Sequence, residues 1–355
     1  MKKISLICLA ILILGHGHSW ACTDFQVKAE DNSVVIGRSM EFALEIGSNI
    51  VTFPRGEKNV SMTPEGNKGL SWKSKYGFLG INGLGLERAV LDGLNEAGLA
   101  VEFLWFPGSV YGKATGKDFV TINDLGLWLL GNFATVDEVK NAIADRVLVG
   151  VYIPQLKQVP GFHVAVHDAQ GKNLVIEFIN GEKKIYDNPI GVMTNRPTFD
   201  WHLANLRNYL NLTPVDKESQ TVAGVDVEAS GSGNGWLGLP GDWMPPSRFV
   251  RTVKLLHAAK PPKNSAEAAN LAEHILNAVD IPYGVIKAQP IGHDYTQWCV
   301  IKDLSNRVLY YRTYRDLVLK RIDMKQLNFS PGAATKVIRI DDGNWNVINV
   351  TDKLM

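Results

Sequence analysis

The chain has 355 residues, 45% hydrophobic and 21% charged, with 33 Gly and 16 Pro. That composition suits one large or two ordinary loop-rich globular domains and excludes a disordered chain, a coiled coil or a long helical array. A formal charge of +1 gives no field to attract phosphate backbones, so nucleic acid is excluded as the main partner. The only long apolar run lies at the extreme N-terminus, which argues against a transmembrane bundle.

That run, Ile4 to Gly15, follows Lys2 and Lys3 and precedes Ser19-Trp20-Ala21. A charged start, an apolar core too short to span a bilayer and small residues at −3 and −1 predict a secretory signal peptide, residues 1–21, cleaved after Ala21. Removal takes two Lys and no acid, leaving 35 basic and 36 acidic side chains and a formal charge of −1. The expected location is periplasmic or secreted, with no membrane insertion once the leader is gone. No domain boundary stands out in residues 22–355, which are expected to form one domain.

Cys8 leaves with the leader, so the mature chain keeps Cys22 and Cys299. An exported protein would ordinarily pair them. Lipidation of Cys22 would want Leu at −3, where Ser19 stands. The third reading is chemical: cleavage after Ala21 puts a thiol and a free α-amine on one residue. With the amine near pH ~7.7 to 8.0 and the thiol near ~8.5, Cys22 would carry its own general base.

Further along, Phe25 to Lys28, the turn Asp31-Asn32-Ser33 and the run Val34-Val35-Ile36 predict a hairpin. Its return strand brings Arg38 and Glu41 toward Cys22, and a cation there would favour the thiolate. Trp105, Phe106 and Tyr111, with Trp236 and Trp243, are aromatic residues in Gly/Pro-rich stretches and are expected to line an apolar pocket. Thr135 to Asp145 opens with a Thr-x-x-Glu capping box and predicts a helix. His163 to His167, a turn at Asp168 to Lys172, and Leu174 to Ile179 predict an antiparallel meander. His163 and His167 share a strand face about 13 Å apart, too far to ligate one metal.

Asn195-Arg196-Pro197 has turn composition. Thr213 to Ser247 reads as a long ordered loop that also suits a subunit contact, and hence a homo-oligomer. Within it Gly233 to Gly238 matches a Gly-x-Gly-x-x-Gly pattern without the strand and helix a dinucleotide site requires. Ser247 is expected to cap the helix that follows. Ser265 to Val279 predicts a helix with Ala268, Leu271, Ile275 and Val279 on one face. Gln297 to Ile301 predicts a buried strand, in which Cys299 is a small hydrophobe. Strands beside helices without strict β-α alternation favour a layered sandwich.

Five segments in order carry a resemblance: Cys22-Thr23, Gly37-Arg38-Ser39-Met40-Glu41-Phe42, Asp92 to Leu99, Thr194 to Phe199, and Gly238 to Asp242 with Ser247-Arg248. Together they resemble the choloylglycine hydrolase and penicillin V acylase family of N-terminal-nucleophile hydrolases, which cleave linear amides. The resemblance implies an α+β fold, a four-layer αββα sandwich. It implies Cys22 as nucleophile with its amine as base, Arg38 against the sulfur, and Glu41, where the family usually has Asp, on the amine. Asn195 would donate to the oxyanion and Arg248 support the tetrahedral intermediate. Trp105 stands where the family completes the oxyanion hole with a backbone N–H, flanked by the pocket residues Phe106 and Tyr111. No metal and no cofactor are expected; the partner implied is a small-molecule amide.

An exported amidohydrolase is therefore the leading reading, of penicillin V acylase or N-acyl homoserine lactone acylase type, with conjugated bile salt hydrolase as the alternative. A periplasmic binding protein would need two lobes of alternating strands and helices, against the hairpins here. A lipoprotein would use Cys22 for acyl chains.

Overall fold

The computed structural model describes residues 21–288 and 292–355; the expected leader, apart from Ala21, lies outside them. The chain opens on strand β1 (Cys22–Lys28) and returns as β2 (Val34–Phe42). Asn32, at φ 67°, and a Ser33 N–H bonded to the Asp31 carboxylate at 2.9 Å turn the hairpin. All nine residues of β2 are buried. A strand covered on both faces reads as a continuous run rather than an alternation. Gly37 is required there: a Cβ would meet the Phe25 ring at 2.5 Å.

Two large antiparallel sheets are built around this hairpin. The first runs Val192–Met193, β1, β2, Gly292–Asp303, Val308–Thr313, Lys320–Asp323. The second has Glu182–Asp187, Asn173–Ile179, Phe162–His167, Ala100–Trp105, Asp92–Asn95, Phe78–Asn82, Asn49–Phe53 and Val337–Arg339 side by side. Of the helices, α1 (Ile122–Asn132) and α2 (Val136–Ala144) pack on the second sheet; α4 (Pro245–Ala258) and α5 (Ser265–Asn277) pack on the first; α3 (Phe199–Asn205) adjoins α4. The result is the expected α+β sandwich of layers αββα.

The helices follow local rules. Thr135 caps α2 by accepting from the Glu138 N–H at 3.2 Å, while Glu138 reaches back to the Ala134 N–H at 2.7 Å. α5 begins at Ser265 under an Asn264 cap and buries Ala268, Ala272, Ile275 and Leu276. α4 departs from expectation, because Pro245 and Pro246 occupy its first turn, where their missing N–H groups are harmless. Met244 is at the cap position, and Ser247 lies inside the helix, donating to Asp242 at 2.8 Å. Among the described residues, no helix is long and apolar enough to cross a membrane.

Between the sheets the core is mostly apolar, interrupted by the buried His163 and Glu177 pair and by a longer charged seam. Asp24, Arg38 and Lys302 from the first sheet meet Asp92, Glu102 and His167 from the second, every side chain fully buried.

Candidate active site

Period-two alternation on β1 and β2 divides the candidate residues between two faces. Cys22 pairs with Met40 and Asp24 with Arg38, so Cys22, Arg38 and Met40 face the second sheet. Thr23 pairs with Ser39, which sends Thr23, Ser39 and Glu41 toward the helices.

On the inner face the Cys22 sulfur lies 4.0 Å from Met40 Sδ and 3.9 Å from the Glu41 carbonyl oxygen. Arg38 approaches the same methionine at 3.9 Å, with its guanidinium 4.9 Å from the Trp298 ring centroid. Burial raises the thiol pKa; Arg38 and the Trp105 N–H pull it down without prevailing. Arg38 thus favours the thiolate as expected, but desolvation is the larger effect and the net shift is upward.

Asn195 and Arg248 converge from the other side. The Cys22 N–H donates to Asn195 Oδ1 at 2.8 Å, and Asn195 Nδ2 donates to the Trp105 carbonyl at 2.7 Å. Fully buried Arg248 donates through Nη1 to the Cys22 carbonyl at 2.5 Å and to Thr23 Oγ1 at 2.6 Å, through Nη2 to Asn195 Oδ1 at 2.7 Å, and through Nε to the Trp243 carbonyl at 2.9 Å. His202, pushed down to about 4 by burial and so neutral, bonds the Asn195 carbonyl at 2.9 Å. The Asn195 turn is therefore both a loop and part of the cluster.

Glu41 is brought near but does not hold the Cys22 nitrogen while that atom is still a peptide N–H joined to Ala21. Its Oε1 accepts from Thr296 Oγ1 at 2.8 Å, and Oε2 has no partner among the described residues. Burial lifts its pKa to about 8 against the pull of Arg248, Thr296 and Ser39. Asp294, which sequence reasoning missed, is a second buried carboxyl nearby, raised to about 7 by burial.

Cys22 lines an apolar cavity of about 40 Å³. Trp105 lines it, edge-on to Phe42 at 6.0 Å and to Phe162 at 5.7 Å. Phe106, Tyr111, Trp236 and Trp243 do not line it, which corrects the expected pocket wall. Phe106 packs on His163; Tyr111 is tied to the Pro160 carbonyl and the Phe162 N–H behind the wall; Trp243 donates to the Asp280 carbonyl. The walls come instead from Met40, Ile46, Leu84, Leu86, Ile153 and Leu156. Leu84, at φ 59° between two glycines, lines the cavity and also packs against the central apolar core. A larger hollow of about 810 Å³, lined by Lys28, Asp137, Lys172 and Asp187, contains none of the candidate residues.

Cys22 and Cys299 are both free. Cys299 pairs with Ser39 across β2 from Cys22, so two strand spacings of about 4.8 Å separate them, beyond disulfide reach. His163 bonds the Thr194 carbonyl at 2.7 Å and Glu177 at 3.3 Å, and His167 bonds Asp24 at 2.8 Å and Asn173 at 2.6 Å. Asp24, Glu102 and His167 bring three donor atoms within 4.8 Å of one another. Lys302 already neutralises Glu102 there, so these residues fit an ion-pair seam rather than a metal.

A family model described as linear amide C-N hydrolases, choloylglycine hydrolase family, matches residues 22–347. The chain is 34% identical over 313 residues to a bile salt hydrolase/transferase of Clostridium perfringens, covering 86% of this chain and 93% of that protein. A variant of the conjugated bile acid hydrolase from the same organism superposes with a TM-score of 0.82 at 31% identity, over 93% of this chain and 99% of that one. Penicillin V acylase from Agrobacterium tumefaciens superposes at 0.74 and 28% identity, over 90% of this chain and 91% of that one.

Proposed function

Since this chain belongs to the choloylglycine hydrolase family and is a linear amide C–N hydrolase, we propose that it is an exported acylase with Cys22 as its N-terminal nucleophile. The observation that carries this reading is Cys22 itself: the first residue after the expected cleavage point begins β1 and lines an apolar cavity, with its nitrogen held by Asn195 and its carbonyl by Arg248.

Once Ala21 is removed, the new α-amine takes the thiol proton and the thiolate attacks the acyl carbon. Negative charge on the former carbonyl oxygen is met by the Trp105 N–H and by the second N–H of the Asn195 amide. Collapse breaks the C–N bond and passes the proton to the departing amine. Water, deprotonated by the same α-amine, then hydrolyses the thioester and returns the proton to sulfur. Because burial holds the thiol up, the neighbouring base is what makes it reactive near neutrality.

For the acyl group, the cavity supports a flat ring or an extended alkyl chain. Trp105, Phe42 and Phe162 form its aromatic wall, a flat apolar face. A rigid steroid needs a broader groove. The reading is therefore a penicillin V or N-acyl homoserine lactone acylase type; the names of the Clostridium relatives favour conjugated bile salts as the second reading. With processed enzyme, kcat/KM for penicillin V or a long-chain N-acyl homoserine lactone is expected to exceed that for glycocholate and taurocholate by about tenfold, equivalent to ~1.4 kcal/mol. A preference for the bile salts over both would reverse the assignment.

A further inference from the structure

The buried seam between the sheets reaches the proposed nucleophile through Arg38, which shares the Met40 sulfur as a neighbour with the Cys22 thiol. Its Nη1 pairs with Asp92 Oδ2 at 3.1 Å and its Nη2 donates to the Phe103 carbonyl at 2.8 Å. Asp92 is also held by Lys302 Nζ at 2.8 and 2.9 Å. Lys302 pairs in turn with Glu102, Glu102 lies 3.6 Å from His167 Nε2, and His167 pairs with Asp24. Burial opposes a charged His167, but Asp24 and Glu102 outweigh it and lift its pKa to about 9. With that proton three cations face Asp24, Asp92 and Glu102, although burial lifts the Glu102 carboxyl to about 7 against the pull of Lys302 and His167.

Ion pairs this deep are weak evidence for stability, because apolar residues of similar volume often serve as well. Their placement beside the sulfur gives them another use. We propose that Asp92 is a positioning residue for amide hydrolysis: its ion pair with Arg38 sets where the guanidinium lies and how much of its positive charge reaches the Cys22 thiol. Asp92 belongs to the segment Asp92 to Leu99, far from Cys22 in sequence, and touches neither Cys22 nor the cavity. The charges facing the thiol are Arg38 and Glu41 from β2 and Arg248 from α4; those facing Arg38 are Asp24 from β1 and Asp92 and Glu102 from the second sheet. Of these, only Asp92 makes an ion pair with the guanidinium. Neutralising it leaves more of the Arg38 charge acting on the sulfur.

The inference rests on Cys22 being the nucleophile, and the test keeps the two apart. It uses processed, folded enzyme and the rate of Cys22 alkylation by iodoacetamide against pH, read by peptide mass at each cysteine separately; both thiols are buried, but of the two only Cys22 lines the cavity. Asp92→Asn is expected to lower the midpoint of that profile by about one pH unit, roughly a tenfold faster alkylation below the midpoint. Asp92→Glu, which keeps the charge, should leave the midpoint where it is. A purely structural role would lower stability in both variants and move neither profile. Should Asp92→Asn fail to fold, Glu102→Gln carries the test, with a smaller shift in the same direction. An unmoved or rising midpoint in either neutralised variant, or an equal fall in Asp92→Glu, overturns the proposal. Full amide hydrolysis by Cys22→Ala would sink the nucleophile reading instead, leaving the alkylation profile to report on Asp92.

Discussion

Asn195 is the residue on which the geometry makes its strongest demand. Its side chain accepts from the Cys22 nitrogen at 2.8 Å and from Arg248 at 2.7 Å and donates to the Trp105 carbonyl at 2.7 Å. Asn195→Ala strips all three buried groups of a partner, and each unmet group costs ~1 to 3 kcal/mol. A loss of activity in that variant alone would therefore mix catalysis with folding. Asn195→Asp keeps an acceptor toward Cys22 and Arg248 while the N–H donors give way to a second carboxylate oxygen, whose charge would also repel an oxyanion. If one of those donors stabilises the oxyanion, kcat falls by roughly 10² to 10³, about 2.7 to 4 kcal/mol of transition-state stabilisation, with KM changed by less than about threefold. The assay is steady-state amine release by both variants, after near-UV circular dichroism has shown a native fold. A fall in kcat below threefold in both folded variants would remove Asn195 from the oxyanion hole.

Other outcomes follow from the same arrangement. Cys22→Ala should abolish hydrolysis while leaving the melting temperature nearly unchanged, and Cys22→Ser should keep the amine yet lose most of the rate, since an alkoxide forms far less readily than a thiolate; turnover by Cys22→Ala at the native rate would refute the mechanism. A chain keeping one residue before Cys22 should fold but not turn over, because a peptide nitrogen is no base; full activity would end the maturation argument. His167 also makes stability depend on pH. The folded chain holds this proton to about pH 9 and the unfolded side chain only to 6.5, so the contribution is complete below pH 6.5 and is lost as pH rises through 9. Its total is roughly 3 kcal/mol; urea titrations across that window should show the decline, and His167→Gln should flatten it.

Local signals carried much of the fold. The β1 and β2 hairpin, the Thr135 capping box and the His163 to Ile179 meander depend on neighbours a few residues apart, and each is found where the chain's alternation and caps put it. Ser247 misled because a Pro-Pro pair can begin a helix without a side-chain cap. Of the expected pocket wall only Trp105 lines the cavity, for a different reason. Whether Trp105, Phe106 or Tyr111 faces the cavity depends on how two sheets are staggered, and aromatic character alone cannot tell a wall from the packing behind it. Glu41 was displaced by one step of alternation relative to Cys22. The seam from Asp24 to Lys302 joins residues nearly 280 positions apart, and nothing in local patterning announces it.

Alternation also explains how so small a cluster serves two purposes. On β1, Cys22 and Asp24 face the second sheet while Thr23 between them faces the helices, where its hydroxyl takes one of the four hydrogen bonds made by Arg248. Nη1, the nitrogen that bonds Thr23, also holds the Cys22 carbonyl, so the hydroxyl steadies the backbone of the proposed nucleophile without approaching the sulfur. Thr23→Val preserves the branched shape that suits a strand and removes only that acceptor. A buried, charged donor then loses a partner, for ~1 to 3 kcal/mol. If the loss falls on the folded state as a whole, the urea midpoint drops and kcat is unchanged; if it falls on the placement of Cys22, kcat drops by about tenfold or more with KM held. The geometry favours the second outcome, because the remaining partners of Arg248 keep the helix docked while the Cys22 carbonyl depends on that one nitrogen. A kcat within twofold of the parent enzyme, with a lowered urea midpoint, would show that Arg248 and Thr23 hold the fold and not the nucleophile.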